Sequence, residues 1–227
     1  TRLGYDGRGQ AVLREQADLA PAFARLAPRL LILEAFVPFA AEVSAIAARG
    51  ADGAIAVFDP AENRHAHHIL DLSFAPARLP PAVSEAARGH VAAVAEGLEL
   101  IGLVALEMFV LPDGTLIGNE IAPRPHNSGH WTMDACAASQ FEQHIRAVAG
   151  LPLARPDRHH DAVMHNLIGP EGMEAWPRLL AAPGVVAHLY GKASARAGRK
   201  MGHYTVLAPH VETALETARA IRRELEF

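Results

Sequence analysis

The most constraining stretch of this chain is an alternating apolar run, Leu103 to Val110, followed by Pro112-Asp113-Gly114 and a second run, Thr115 to Ile121. Two strand-forming runs joined through Asp-Gly predict a β-hairpin, because that pair accepts the backbone of a tight turn. The hairpin fixes more than two strands. It sets Glu107 and Glu120 on neighbouring strands, where facing side chains come within reach of one metal ion. Two carboxylates held this way repel unless a hard cation lies between them, and Mg²⁺ takes such oxygen ligands together with nucleotide phosphates. The second strand runs on into a loop, Ala122-Pro123-Arg124-Pro125-His126-Asn127-Ser128-Gly129-His130-Trp131. Two prolines fix the backbone on either side of Arg124 and stiffen a segment rich in hydrogen-bonding groups. A rigid loop of this kind reads as a site rather than a linker. A paired-carboxylate metal site beside a guanidinium and an imidazole predicts phosphoryl-transfer chemistry.

The rest of the composition bounds this reading. In 227 residues, 50% hydrophobic and 20% charged, one good core and a smaller second unit can be buried. The formal charge of −4 gives no basic field for nucleic acid. A lone cysteine, Cys136, excludes an intrachain disulfide and fits a reducing, cytoplasmic compartment. No apolar run approaches the roughly 20 residues of a membrane span, and no signal peptide opens the chain. The first residues run straight into Gly4-Tyr5-Asp6-Gly7-Arg8-Gly9-Gln10 without an initiator Met, which reads as a fragment cut inside a domain.

Along the chain the pattern predicts a short helix over 14–26 and a buried strand over 30–34, from which Ala35-Phe36-Val37-Pro38 leads off. Strands follow over 42–49 and 54–58 around a Gly50–Gly53 turn. Pro80-Pro81 opens a long helix to about Ile101, since proline suits a first helical turn. After the hairpin, a helix over 138–149 closes at Gly150. The proline-rich stretch 151–161 is the candidate boundary between a domain over 1–153 and a small C-terminal domain over 154–227. Beyond it we expect strands over 162–168, 185–189 and 201–207, a helix near 171–180 and a last helix from Val211.

Four further groups carry chemistry. Three glycines in the loop 4–10 let backbone amides turn toward an anion; the bland reading is a hairpin tip. Glu34-Ala35-Phe36-Val37, at the exit of the expected strand, offers backbone groups to an adenine edge and apolar walls, with Glu42 in reach of ribose hydroxyls. His65-Ala66-His67-His68 places His65 and His67 on one strand face, but without a third ligand at a zinc spacing. Lys192, Arg196, Arg199, Lys200 and His203 crowd a stretch free of Asp and Glu, which favours a phosphate site over a solvated face.

Taken together, GYDGRGQ (4–10), LEAFVPF with Glu42, ENRHAHHILDLSFAPA (62–77), ALEMFV (105–110), NEIAPRPHNSGHW (119–131), DACAASQFEQHIRAVAGLPL (134–153) and HLYGKASARAGRKMGH (188–203) resemble the N5-carboxyaminoimidazole ribonucleotide synthetase family. These are ATP-grasp ligases of bacterial and fungal purine synthesis, and the resemblance covers nearly the whole chain in order. It implies an α+β, ATP-grasp fold, here partial, with its N-terminal domain missing and a small C-terminal α/β subdomain. It implies a reaction in which ATP and bicarbonate form carboxyphosphate, which carboxylates 5-aminoimidazole ribonucleotide and releases ADP and phosphate, in a homodimer when full length. By position it implies that Gly4, Tyr5, Asp6, Gly7, Arg8, Gly9 and Gln10 cover the ATP phosphates, with Tyr5 and Asp6 near the ribonucleotide. Glu34, Ala35, Phe36 and Val37 match the adenine hinge, Glu42 the ribose ligand and His65 a further nucleotide contact. Glu107 and Glu120 match the Mg²⁺ ligands, with Asn119 beside them as an ATP contact. Arg124 and His126 match residues near bicarbonate, and Lys192, Arg199 and Lys200 the part that meets substrate phosphate and closes the catalytic site.

Two alternatives stay open. A formate-dependent glycinamide ribonucleotide transformylase shares a PRPHN-type loop, and a non-catalytic nucleotide-binding remnant belongs to another class altogether. Ala122, where many ATP-grasp enzymes carry Asn, speaks against a biotin-carboxylase reading. The 227 residues by themselves are expected to be inactive, since one side of the nucleotide cleft is absent from them.

Overall fold

The computed structural model of the chain describes residues 9–26 and 30–225. Its frame is a nine-stranded antiparallel sheet. A 3₁₀ turn (Gln16–Asp18) leads into α1 (Leu19–Leu26). Then come β1 (Ala41–Arg49), β2 (Ile55–Val57), β3 (Ala61–Ala66), β4 (Ile69–Ala75), α2 (Pro81–Gly97), β5 (Gly102–Val110) and β6 (Leu116–Ala122). A second 3₁₀ turn (Asn127–Gly129), α3 (Thr132–Ala135) and α4 (Gln140–Val148) follow, and then β7 (Asp161–Ile168), α5 (Gly169–Glu174), α6 (Trp176–Leu179), β8 (Val185–Leu189), β9 (Lys200–Ala208) and α7 (Val211–Leu225). The strand order is β6-β5-β1-β3-β4-β7-β9-β8, with β2 beside β3 on the same flank of β1.

Alternation along the strands sorts the two faces of the sheet. Val43, Ala45 and Ala47 of β1 and Val104, Leu106 and Met108 of β5 pack under Ala87, Val91 and Ala95 of α2. Further along that face, Phe74, Val163 and Val206 meet Leu215, Ala218 and Ile221 of α7. The opposite face buries Ile46, Ala48, Leu103 and Ala105 against Phe58 and Trp131, whose rings meet edge to face at 6.4 Å. The strand that alternates apolar and polar therefore has two buried sides only where a helix layer lies over each. Where that layer stops, the same face turns polar: Glu42 and Ser44 continue the row of Ile46 and Ala48, and Glu107 continues that of Leu103 and Ala105.

The hairpin, β1, β2, α4, β7, β8, β9 and α7 lie where the sequence pattern put them, with ends shifted by a residue or two, while the helix expected over 14–26 is a 3₁₀ turn (Gln16–Asp18) followed by α1 (Leu19–Leu26). Four expectations need correction. Residues 30–34 are neither a strand nor buried: Leu30, Ile32, Leu33 and Phe36 are 80, 69, 76 and 83% exposed. A strand is made by a partner's hydrogen bonds, and no described strand pairs with this segment. His67 is not on a strand with His65. It forms a two-residue turn with His68 between β3 and β4, both at positive φ (51° and 64°), a left-handed conformation that histidine tolerates better than branched residues. The turn His67-His68 lacks the Gly, Asn or Asp that marks a two-residue hairpin turn, and β3 is mostly polar, so the pattern did not show β3–β4. Helix α2 ends at Gly97 rather than near Ile101, because Glu99 turns to φ 48° and breaks the helix. The helix near 171–180 is two short ones, α5 and α6.

Candidate active site

The carboxylate hairpin is the centre of the site. Glu107 of β5 and Glu120 of β6 are direct register partners, and Ser44 of β1 faces Glu107 from the other side. Just beyond the pair the register slips, leaving Asn119 as an extra residue on β6. Such a bulge bends the strand and re-aims its side chains, and it falls here beside two acids. Glu42, two residues before Ser44 on the same face, accepts a 2.5 Å hydrogen bond from His65 Nδ1. That bond raises the pKa of His65, against a smaller opposing effect of burial, so this imidazole is held toward its charged form. Glu107 is pushed up in the other sense. Burial comes first and the charge of Glu120 second, with His65 and Lys200 only partly relieving them.

The exit loop folds back over these acids. Gln140, fully buried at the start of α4, clamps the backbone of His126: its Oε1 accepts the His126 N–H at 2.9 Å and its Nε2 donates to the His126 carbonyl at 2.7 Å. The His126 ring is then fixed in its tautomer by its neighbours. The backbone N–H of Ser128 points at Nδ1 from 3.4 Å and the Ser128 hydroxyl lies 2.8 Å away. A backbone N–H can only donate, so Nδ1 is bare and the proton sits on Nε2, which faces Glu107 Oε1 at 3.5 Å. Ser44 donates to the Ser128 hydroxyl at 2.7 Å, completing a buried row from the sheet to the imidazole. Burial, then the charges of Arg124 and Lys200, bring the pKa of His126 down to about 4, so the ring is neutral at pH 7. Arg124 is exposed, and its Nη1 donates to the Pro125 carbonyl at 3.2 Å. Asn127 and Asn166 exchange amide hydrogen bonds at 2.9 and 2.8 Å, which ties the loop to β7.

The basic stretch reaches the site from the far end of the sheet. Lys200 opens β9 next to a register slip between β7 and β9, and its charge bears on Glu107, His65, His126 and His130. Lys192 donates to the Lys200 carbonyl and sits 5.4 Å from the Tyr190 ring centre. Arg199 donates to the Ser194 carbonyl at 2.9 Å. The structure thus gathers Glu42, His65, Glu107, Glu120, Arg124, His126 and Lys200 on one face, with Lys192 and Arg199 folding their own loop. Gly9 and Gln10 and the hinge Glu34–Val37 lie outside this cluster, and Gly4, Tyr5, Asp6, Gly7 and Arg8 are outside the described residues. Sequence reasoning missed Ser44, Ser128, Gln140 and Asn166. Ser44, Gln140 and Asn166 are polar residues at positions the strand or helix period buries, and that mismatch was the available signal, whereas Ser128 lies in the exit loop and gave none.

Two abutting carboxylates, one desolvated, with neutral imidazole and fixed cations around them, define a site for a polyanion carried on a hard divalent ion. Residues 1–141 match the ATP-grasp domain family, and the chain belongs to that family. Residues 162–217 match the C-terminal domain of phosphoribosylaminoimidazole carboxylase. The chain is 53% identical over 210 residues to the N5-carboxyaminoimidazole ribonucleotide synthase of Brucella melitensis, covering 92% of this chain and 58% of that protein. Among solved structures, an ADP complex of N5-carboxyaminoimidazole ribonucleotide synthetase is 45% identical with a TM-score of 0.91, over 96% of this chain and 58% of that one. The Aspergillus clavatus enzyme in complex with ADP and 5-aminoimidazole ribonucleotide is 31% identical with a TM-score of 0.88, over 93% and 58%. These relatives bear out the resemblance carried by the motifs. The chain spans 58% of the length of each. Among the described residues, no helix is long and apolar enough to cross a membrane.

Proposed function

We propose that this chain is the greater part of an N5-carboxyaminoimidazole ribonucleotide synthase, using ATP and bicarbonate to carboxylate the exocyclic amine of 5-aminoimidazole ribonucleotide in the cytoplasm. The observation that carries the reading is the Glu107/Glu120 pair in direct register, ringed by His65, His126 and Lys200. The donor set fits Mg²⁺: two carboxylates with oxygen ligands only, one of them pushed up in pKa by burial and by the other. Glu107 and Glu120 would hold the ion, which when bound neutralises phosphate oxygens.

The chain's own residues divide the remaining work. Glu42 serves as the ribose ligand and His65 as a further nucleotide contact, Glu34, Ala35, Phe36 and Val37 offer the hinge for an adenine edge, and Asn119 is an ATP contact beside the metal acids. His126, protonated on Nε2, donates a hydrogen bond toward an oxyanion held near Glu107 and takes no proton at neutral pH. Arg124 supplies the fixed positive charge for bicarbonate and for the carboxylated phosphate made from it. Lys192, Arg199 and Lys200 bring cations to the substrate phosphate and close the site, which a hydrolytically fragile intermediate requires. The division at 153/154 and a homodimeric assembly complete the proposal.

The test is a substrate panel on the protein extended to its relatives' length. ADP release should require both bicarbonate and 5-aminoimidazole ribonucleotide. ADP release driven instead by formate and glycinamide ribonucleotide would replace this reading with the transformylase one, and tight ATP binding without turnover would make the chain a nucleotide-binding remnant.

A further inference from the structure

A second polar cluster lies on the same face of the sheet, at its other end, and nothing in the carboxylation chemistry uses it. His188 of β8 and His203 of β9 are register partners on the sheet's last pair, so their imidazoles stand side by side with ring centres 4.6 Å apart. Asp134 comes over them from α3, with its Oδ1 2.9 Å from His188 Nε2. One donor atom from each of the three lies within 4.8 Å of the others. Two of the group's donors are buried with no partner among the described residues: His203 Nε2, on a side chain that is 1% exposed, and Asp134 Oδ2. Buried polar atoms left without a partner are costly, so something is expected to join this pair.

The surroundings select what that is. His203 Nδ1 lies 2.9 Å from the Tyr190 hydroxyl. With the ring proton on Nδ1 and donated to that oxygen, Nε2 is left as a bare lone pair, the arrangement that outer partners impose on metal-binding histidines. Two imidazoles and a carboxylate suit a borderline ion such as Zn²⁺ better than Mg²⁺, which asks for oxygen. A tetrahedral ion with bonds of about 2.0–2.1 Å needs donors roughly 3.3 Å apart, so the three side chains have only to draw together.

We propose that Asp134, His188 and His203 form a zinc-class metal site. Its ligands come from both sides of the 153/154 division. The ion therefore staples the edge strand β8 to α3, and it fixes the base of the β8–β9 loop, which carries Lys192 and Arg199 and leads into Lys200 at the start of β9. The fourth position is left to water. The site is separate from the carboxylate pair in its residues and in its ligand chemistry.

The experiment uses the full-length protein, stripped with a chelator and titrated with Zn²⁺ and, for its absorption spectrum, Co²⁺. One equivalent should bind, with the strong visible bands of a four-coordinate Co²⁺ ion. Asp134→Asn, close in shape, and His188→Gln should each weaken that binding on the order of 100-fold or more, a loss that even outer-shell changes approach. A Glu107→Gln/Glu120→Gln double variant should keep it. The proposal fails if the wild-type protein takes up no Zn²⁺. It fails equally if either ligand variant binds as tightly as wild type, or if the equivalent disappears with the carboxylate pair; a water bridging the orphaned atoms would then be what the cluster holds.

Discussion

At the scale of single residues, charge placement decides the outcome. Glu107 sits desolvated beside Glu120, so burial and that neighbouring charge both disfavour its ionised form unless a cation joins it. Glu107→Gln and Glu120→Gln should each remove ATP turnover from the full-length protein and leave its fold intact, as read by steady-state kinetics beside circular dichroism. Near-wild-type rates in both would take the metal assignment away. Arg124 is exposed and belongs to no ion pair among the described residues, so its guanidinium is available to an anion. Arg124→Ala should lower product formation far more than ATP affinity, and equal losses in the two would assign it to nucleotide binding instead. The buried histidines give a pH signature. His126, His130 and His165 are brought from 6.5 to about 4, chiefly by burial. An unfolded chain returns them to the ordinary value, so between those limits the unfolded state binds more protons. The stability these three rings contribute should therefore fall as pH drops from about 6.5 toward 4, a trend that urea midpoints at pH 7 and pH 5 would reveal. Glu107 and His65, both shifted upward, work against that trend, and a midpoint that rises on acidification would mean they dominate the buried histidines.

At the scale of elements, the exit loop shows how packing aims a side chain. The 3₁₀ turn Asn127–Gly129 rests directly on β1. A Cβ on Gly129 would run into the end of the Ile46 side chain and come within 2.9 Å of Gln140 Oε1, the atom that holds the His126 N–H. No positive φ is involved here, so the demand for glycine is one of space alone. Gly129→Ala should cost about 1–3 kcal/mol, the usual range for overpacking a core. It should also lower activity beyond what the lost stability explains, because His126 moves with the turn. Chemical denaturation beside kinetics tests both, and an unchanged midpoint would show that Ile46 and Gln140 give way freely. The hairpin behaves differently. Its turn and its alternating pattern fix register locally, so the Glu107/Glu120 pairing depends little on the rest of the chain.

At the scale of the whole molecule, the sheet is continuous while its cover is not. Strand β4 pairs with β7, so both halves of the chain share one ladder across the stretch 151–161. Beyond the sheet, Leu30, Ile32, Leu33 and Phe36 stand open, next to a hollow of about 470 Å³ lined by Leu19, Phe23, Ile32 and Leu33. An apolar row of this length marks a surface that another part of a protein covers. Residues 1–227 alone should bind an apolar reporter dye and turn over little substrate. The protein extended to its relatives' length should lose the dye and gain turnover. Full activity from 1–227 alone would mean that this surface needs no cover for catalysis.

What the sequence determined by itself was everything carried by short-range pattern: the Asp-Gly hairpin with its two acids, the strands β1, β8 and β9, the capped helix α4, and motifs specific enough to name a family. These rest on dihedral preference and alternation, which neighbours in the chain enforce on one another. Tertiary structure alone decided whether residues 30–34 form a strand, since a strand exists only in its partner's hydrogen bonds. It alone placed His67 in a turn and His65 on Glu42, brought Lys200 of β9 to acids on β5 and β6, and set the proton of His126 through Ser128. Those outcomes depend on which distant groups meet and how far water is excluded between them. Desolvation and through-space charge act across distances that sequence order does not record.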